Sequence, residues 1–207
     1  MPMFKAPLFW LILIVIAVAV VTAVAPAEKS LGAHVRVVYL HGVWVWAALA
    51  AFLLAGVTGA LGLALQRPAL QSWSRALGRT GLFFWITYLP VSLWAMQSNW
   101  NGLFLAEPRW RLAVAFAISG LLLQAGTSLL EDPAWASAGN VLFILALFLI
   151  LQNTPNVMHP PAPIVTSDAW RIQLYFASLF FLMLLAAWQV ARWLHQLEPS
   201  TTGSPMR

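Results

Sequence analysis

Cysteine is absent from this 207-residue chain, and Asp, Glu, Lys and Arg together make up only 8% of it. The first absence excludes disulfides, thiolate metal ligands, iron–sulfur clusters and thioether attachment of a prosthetic group, leaving histidine and carboxylate as ligands. The second sets the chain apart from soluble domains, in which roughly a quarter of residues are charged. Runs of like charge are missing too, and the net charge of +5 is spread over eleven basic residues. A basic stripe interleaved with aromatics, as nucleic-acid binding requires, is therefore not present. The chain also has no phosphate loop, dinucleotide fingerprint or nucleophile–base constellation, so it does not read as an enzyme.

What is abundant is apolar: 61% of residues are hydrophobic, with twelve tryptophans and thirteen prolines. A spanning helix needs about 20 mainly apolar residues. Six segments separated by Pro, Gly and charge meet or approach that, over 8–24, 43–65, 81–96, 112–130, 138–151 and 172–194. The third and fifth are short and are expected to extend toward Ser98 and back to Trp135. Lys5 ahead of an apolar run ending Ala23-Val24-Ala25 resembles a signal peptide, but Pro26 disfavours cleavage and the segment is read as a helix. The expected fold is all-α, a six-helix polytopic membrane domain over 1–197 with a flexible polar tail at 198–207.

With six crossings, both termini share a face with the 66–80 loop. Arg67, Arg75 and Arg79 of that loop bias this face toward the cytoplasm of a bacterial-type inner membrane. The tryptophans divide evenly between the two faces, as aromatic belts do. Gly56, Gly59 and Gly62, with Ala55 and Ala60, give the second helix a small-residue face suited to close packing. Pro90 predicts a kink in the third helix, with Thr87 near enough to take up part of the lost backbone bonding. No ionisable side chain falls at mid-helix depth in this reading, which argues against a proton-driven pump or a channel with charged rings. Chemistry is expected at the membrane–water boundary.

On the opposite face lie three of the four histidines, His34, His41 and His159. His41 runs into Trp44 and Trp46, and His159 sits in a proline-stiffened connection with Pro160, Pro161 and Pro163. The loop between the third and fourth helices carries Trp100, Phe104, Glu107 and Arg109. Two imidazoles can hold a haem iron, aromatic faces can seat a porphyrin, and Arg36, Arg109, Arg111 and Arg171 can meet propionates. Taken singly, an interfacial His beside Trp is more often an amphipathic anchor. His195, on the other face, reads as a helix-end residue favoured by the C-terminal dipole. Glu107 is expected to pair with Arg109 or Arg111 or to start the fourth helix behind Pro108.

Together these residues resemble a known family. The stretch Arg36-Val37-Val38-Tyr39-Leu40-His41-Gly42, followed by Trp44-Val45-Trp46, is similar to one in the membrane haem-handling proteins of cytochrome c maturation. There, Arg and Tyr precede a helix-start His followed by Trp. Met158-His159-Pro160-Pro161-Ala162-Pro163-Ile164 resembles the family's second histidine segment, between its last two helices. The six-helix plan resembles the smallest branch, the C proteins of the system-I pathway, over roughly residues 34–194.

The resemblance implies that His41 and His159 are axial ligands of a non-covalent, transiently held haem b. It also implies that the 99–110 loop, with Trp100 and Phe104, seats the porphyrin. Arg36 and Arg109 are then the residues for the propionates, and the partners are a haem chaperone and an ATP-driven transporter in addition to membrane lipid. The family's tryptophan-rich loop ends in W-x-W-D. This chain keeps Gly102, Phe104, Pro108 and Arg109 there, with Glu107 at the acidic position, but replaces most of the tryptophans. After His41 it has Gly-Val in place of Val-Pro. The alternative reading is a non-catalytic subunit that keeps the fold, has lost haem transfer, and packs into a larger membrane complex.

Overall fold

Proline sets the start of four of the six helices that the described residues form. Its missing N–H is no loss in a first turn, and its fixed φ suits helix entry. Thus α1 (Pro7–Ala23), α3 (Pro68–Trp100), α4 (Pro108–Leu129) and α5 (Pro133–Asn153) all begin on it, and Asp132 also caps α5 by accepting from the Ala134 N–H at 2.8 Å. The other two are α2 (Val35–Ala64) and α6 (Trp170–Gln196). The computed structural model describes residues 6–130, 132–158, 163–166 and 168–198, and the described residues form no strand beyond one isolated bridge between Glu28 and Gly32. Among the described residues four helices, α2, α4, α5 and α6, are long and apolar enough to cross a membrane. The 17 residues of α1 are apolar but fewer, and the 33 of α3 include Arg75 and Arg79.

The largest departure from the sequence reading is α3. Its first three turns occupy most of the expected 66–80 loop, so Arg75 and Arg79 are helical, and only Arg67 of the three arginines lies outside a helix. The reason is electrostatic. Glu198, just past α6, accepts from Arg75 at 3.0 Å and from Arg79 at 2.8 Å, with the Glu198 and Arg75 side chains 7% and 10% exposed. Charges satisfied in this way can lie inside a helix contact that hydropathy alone reads as a break. The same pair holds Glu198, the first residue of the expected polar tail; residues 199–207 lie outside those described.

Between α2 and α3 the chain turns in three residues. Gln66 adopts the left-handed conformation at φ 50, and the Arg67 N–H returns to the Gly62 carbonyl at 2.9 Å. This antiparallel hairpin is the centre of the molecule: α5 and α6 pack on both of its helices, α4 reaches only α3 and α5, and α1 rests mainly on α6.

The small-residue face of α2 makes close contact possible. Ala47, Ala48, Ala51, Ala55, Gly56, Gly59 and Gly62 are all buried. A Cβ on Gly59 would lie 2.8 Å from Ser74 Oγ and 2.9 Å from the Ser137 carbonyl, and one on Gly56 would meet Ile144 at 2.6 Å. Polar groups inside this contact are satisfied locally. Asn140 donates to the Ser74 carbonyl and hydroxyl at 2.8 and 3.1 Å, while Ser74 donates to the Ala55 carbonyl at 2.8 Å. Interhelical bonds of this kind join helices where water cannot compete.

Helix α3 runs through Pro90. The Thr87 hydroxyl near it donates to the carbonyls of Phe83 and Phe84, at 2.7 and 3.3 Å, rather than to Ile86, whose carbonyl Pro90 leaves without its i+4 donor.

Candidate functional site

The sequence-selected residues gather where α2 begins and α3 ends. Helix α2 starts at Val35, eight residues before the apolar run, because Val35, Val37 and Tyr39 are already buried. His41 therefore lies in the second turn, inside the helix rather than at its start. Its half-buried ring packs 5.7 Å from that of Tyr88 at 56°, in the contact between α2 and α3. One turn on, the Trp44 indole N–H donates to Thr87 Oγ1 at 2.9 Å, and its ring lies 6.0 Å from Phe84. Below them the Trp85 indole N–H donates to the Ala113 carbonyl at 2.9 Å, joining α3 to α4.

Arg36 is half-buried and donates through Nε to the Ala25 carbonyl at 3.2 Å, fastening the α1–α2 connection to the head of α2. That connection is tightened by Glu28, whose carboxylate accepts from the Ser30 hydroxyl and from the Ser30 and Leu31 N–H groups at 2.9 and 3.0 Å. These donors, the Ser30 hydroxyl first, hold the Glu28 carboxyl below the usual range. His34 precedes α2 and is exposed; its carbonyl accepts from Asn99 Nδ2 at 3.4 Å. The start of α2 is thereby next to the end of α3.

Trp100 is the last residue of α3 and is half-buried. Asn101 then ends the helix in the left-handed conformation at φ 53, which asparagine tolerates well. Phe104 is 42% exposed in the loop that follows. Arg109 is in the first turn of α4, half-buried, and its Nε is sheltered from solvent with no hydrogen-bond partner among the described residues. Arg111 turns back to the Leu105 carbonyl at 3.4 Å.

Glu107 is where the sequence reading missed a contact. It does precede α4, as expected, but it makes no ion pair with Arg109 or Arg111 among the described residues. Buried to 7% exposure, its carboxylate accepts from the Val157 N–H at 3.2 Å. This bond ties the loop between α3 and α4 to the long connection between α5 and α6. A lone acid between an apolar stretch and a proline was the available signal, since such a carboxylate rarely buries without a partner. His159 follows two residues later and lies outside the described residues, so the pairing of His41 with His159 has no geometry here.

A groove of about 500 Å³ opens beside this cluster between α1, α2 and the end of α3, and Arg36 and His34 stand in its wall. At the far end of the bundle His195 stacks on Trp73 at 4.1 Å, Trp73 stacks on Trp188 at 5.2 Å, and Ser72 Oγ lies 3.2 Å from His195 Nδ1. No group of three His, Asp or Glu side chains able to hold a metal ion occurs among the described residues. Compared with protein-family models, with curated proteins and with solved structures, the chain finds no match in any of the three.

Proposed function

We propose that this chain is a six-span membrane protein of cytochrome c biogenesis that holds haem b at one membrane face and passes it to a partner. In this reading α1 and α3 supply the two further crossings. The 17 apolar residues of α1 extend about 26 Å, close to a hydrocarbon core, and the 33 of α3 exceed it. The termini and the Arg75–Glu198 end would face the cytoplasm of a bacterial-type inner membrane, with the His41 end outside.

The observation that carries the proposal is the Glu107–Val157 bond. It supports the idea that the aromatic loop and the connection bearing His159 work as one platform above α2. The donor chemistry is compatible with the group: the Arg109 Nε has no hydrogen-bond partner among the described residues, and a guanidinium is a fitting donor to a propionate. His41 and His159 would hold the iron, Trp100 and Phe104 the ring, and Arg36 and Arg109 the propionates. Held without a covalent bond, haem would bring an exchangeable iron centre that can be transferred. A haem chaperone is the expected receiving partner, with an ATP-driven transporter beside it.

Absorption spectra and haem content of detergent-purified protein, expressed with added haem precursor, test this. A Soret band in the wild type that is lost in His41→Ala and in His159→Ala at matched yield is the expected result. A wild type without haem overturns the proposal. That outcome would favour a structural subunit of a larger membrane complex, a reading supported by the packing of His41 against Tyr88. Complex assembly should then tolerate His41→Ala and fail when Gly59 is made bulky.

A further inference from the structure

The groove beside α1 shares Arg36 with the haem reading, but its apolar length along α1 and α2 has no part in haem handling. It exists because α1 leans away from α2 onto α6, where the Tyr175 hydroxyl donates to the Val21 carbonyl at 2.8 Å. Its walls are apolar along Val18, Leu40, Trp44 and Trp94, and at the loop end it is edged by His34 and Arg36. From His34 to Trp44 it follows α2 for about 15 Å. Both ends are held in place independently of any occupant, Trp44 by Thr87 and Arg36 by the Ala25 carbonyl.

The charge decides what suits it. Arg36 uses Nε for the backbone bond and makes no ion pair among the described residues, where the ion pairs are those of Glu198 with Arg75 and Arg79. Its two terminal amino groups suit a planar pair of anionic oxygens, and the His34 ring adds a hydrogen-bonding nitrogen. A neutral amphiphile would fill the apolar length and leave the guanidinium unmatched. We propose that the groove binds one anionic phospholipid, with its phosphate at Arg36 and an acyl chain between α1 and α2. The site shares Arg36 with the haem proposal but does not rest on it: a phosphate and a propionate would compete for that guanidinium, so the lipid test is made on haem-free protein.

Full-length protein in mild detergent, titrated with phosphatidylglycerol or with diacylglycerol, which has the same chains but no phosphate, and followed by native mass spectrometry, tests it. The wild type should retain a first phosphatidylglycerol at about tenfold lower concentration than diacylglycerol, as one charge-assisted hydrogen bond allows. Arg36→Gln should remove that preference, while Arg192→Gln at the far end should keep it. Ala19→Phe fills the groove without touching its charge and should weaken the first adduct of both lipids, so the test survives if Arg36→Gln fails to fold. Equal retention of the two lipids by the wild type, an unchanged preference in Arg36→Gln, or an undiminished first adduct in Ala19→Phe would overturn the proposal. So would a neutral isoprenoid quinone retained ahead of phosphatidylglycerol.

Discussion

Adding one methyl group at Gly59 and at Gly126 should change stability in opposite directions. At Gly59 the new Cβ would sit 2.8 Å from Ser74 Oγ and 2.9 Å from the Ser137 carbonyl. Neither neighbour can give way cheaply. Ser74 is bonded to the Ala55 carbonyl and to Asn140, and the Ser137 atom is backbone of α5. Forcing the contact costs about 1–3 kcal/mol as overpacking. Displacing Ser74 adds about 1 kcal/mol for a lost hydrogen bond. Against this, alanine in a helix gains about 0.5–1 kcal/mol over glycine.

The net effect of Gly59→Ala is a loss of about 2 kcal/mol. At Gly126, within α4, a Cβ meets nothing within 4 Å, so only the helix gain of about 0.5–1 kcal/mol remains. The two variants should differ by a factor on the order of 100 in the unfolding equilibrium. Reversible unfolding of the full chain in mixed micelles of increasing sodium dodecyl sulfate, followed by circular dichroism, measures both. A Gly59→Ala protein as stable as Gly126→Ala would refute the close contact between α2, α3 and α5.

Glu198→Ala removes the shared partner of two arginines. Arg75 then loses one charge-assisted hydrogen bond in a buried setting, a loss of about 2 kcal/mol, while Arg79, a third exposed, contributes less than about 1 kcal/mol because solvent screens it. The thermal midpoint should fall by several degrees, and an unchanged midpoint would mean the pair does not hold α6 to α3. Glu107→Ala should leave the helices intact yet free the segment around Val157. Amide exchange there should accelerate about tenfold or more, as loss of a charge-assisted bond implies, and equal exchange in both proteins would dissolve the link between the two loops.

Helix positions were largely legible because proline and hydropathy agree. Pro108, Pro133 and Pro7 stand where α4, α5 and α1 begin, and the apolar runs ended within a few residues of the structural ends. The failures share one cause. The extra turns at the head of α2 and α3 carry Arg36, His41, Arg75 and Arg79, which a one-dimensional scale counts as breaks. Only partners distant in sequence, Ala25, Tyr88 and Glu198, make those turns tenable. The small-residue face of α2 could be seen in advance because its period of four needs no partner to be recognised. In the candidate site the residue types were visible, whereas the Glu107–Val157 bond spans fifty positions and leaves no periodic trace.

The three-residue turn at Gln66 has a consequence for how the molecule is made. Helices α2 and α3 are consecutive, antiparallel and already complementary, so they can pair as soon as both have left the ribosome. Helix α1 has the opposite fate. Its main partner is α6, and the bond from Tyr175 to Val21 joins positions 154 residues apart. During synthesis α1 waits without its main neighbour until α6 has been made. Docking of α1 on α6 thus follows pairing of the α2–α3 hairpin, and a defect at Tyr175 should appear as misassembly after the hairpin has formed rather than as failure of the hairpin.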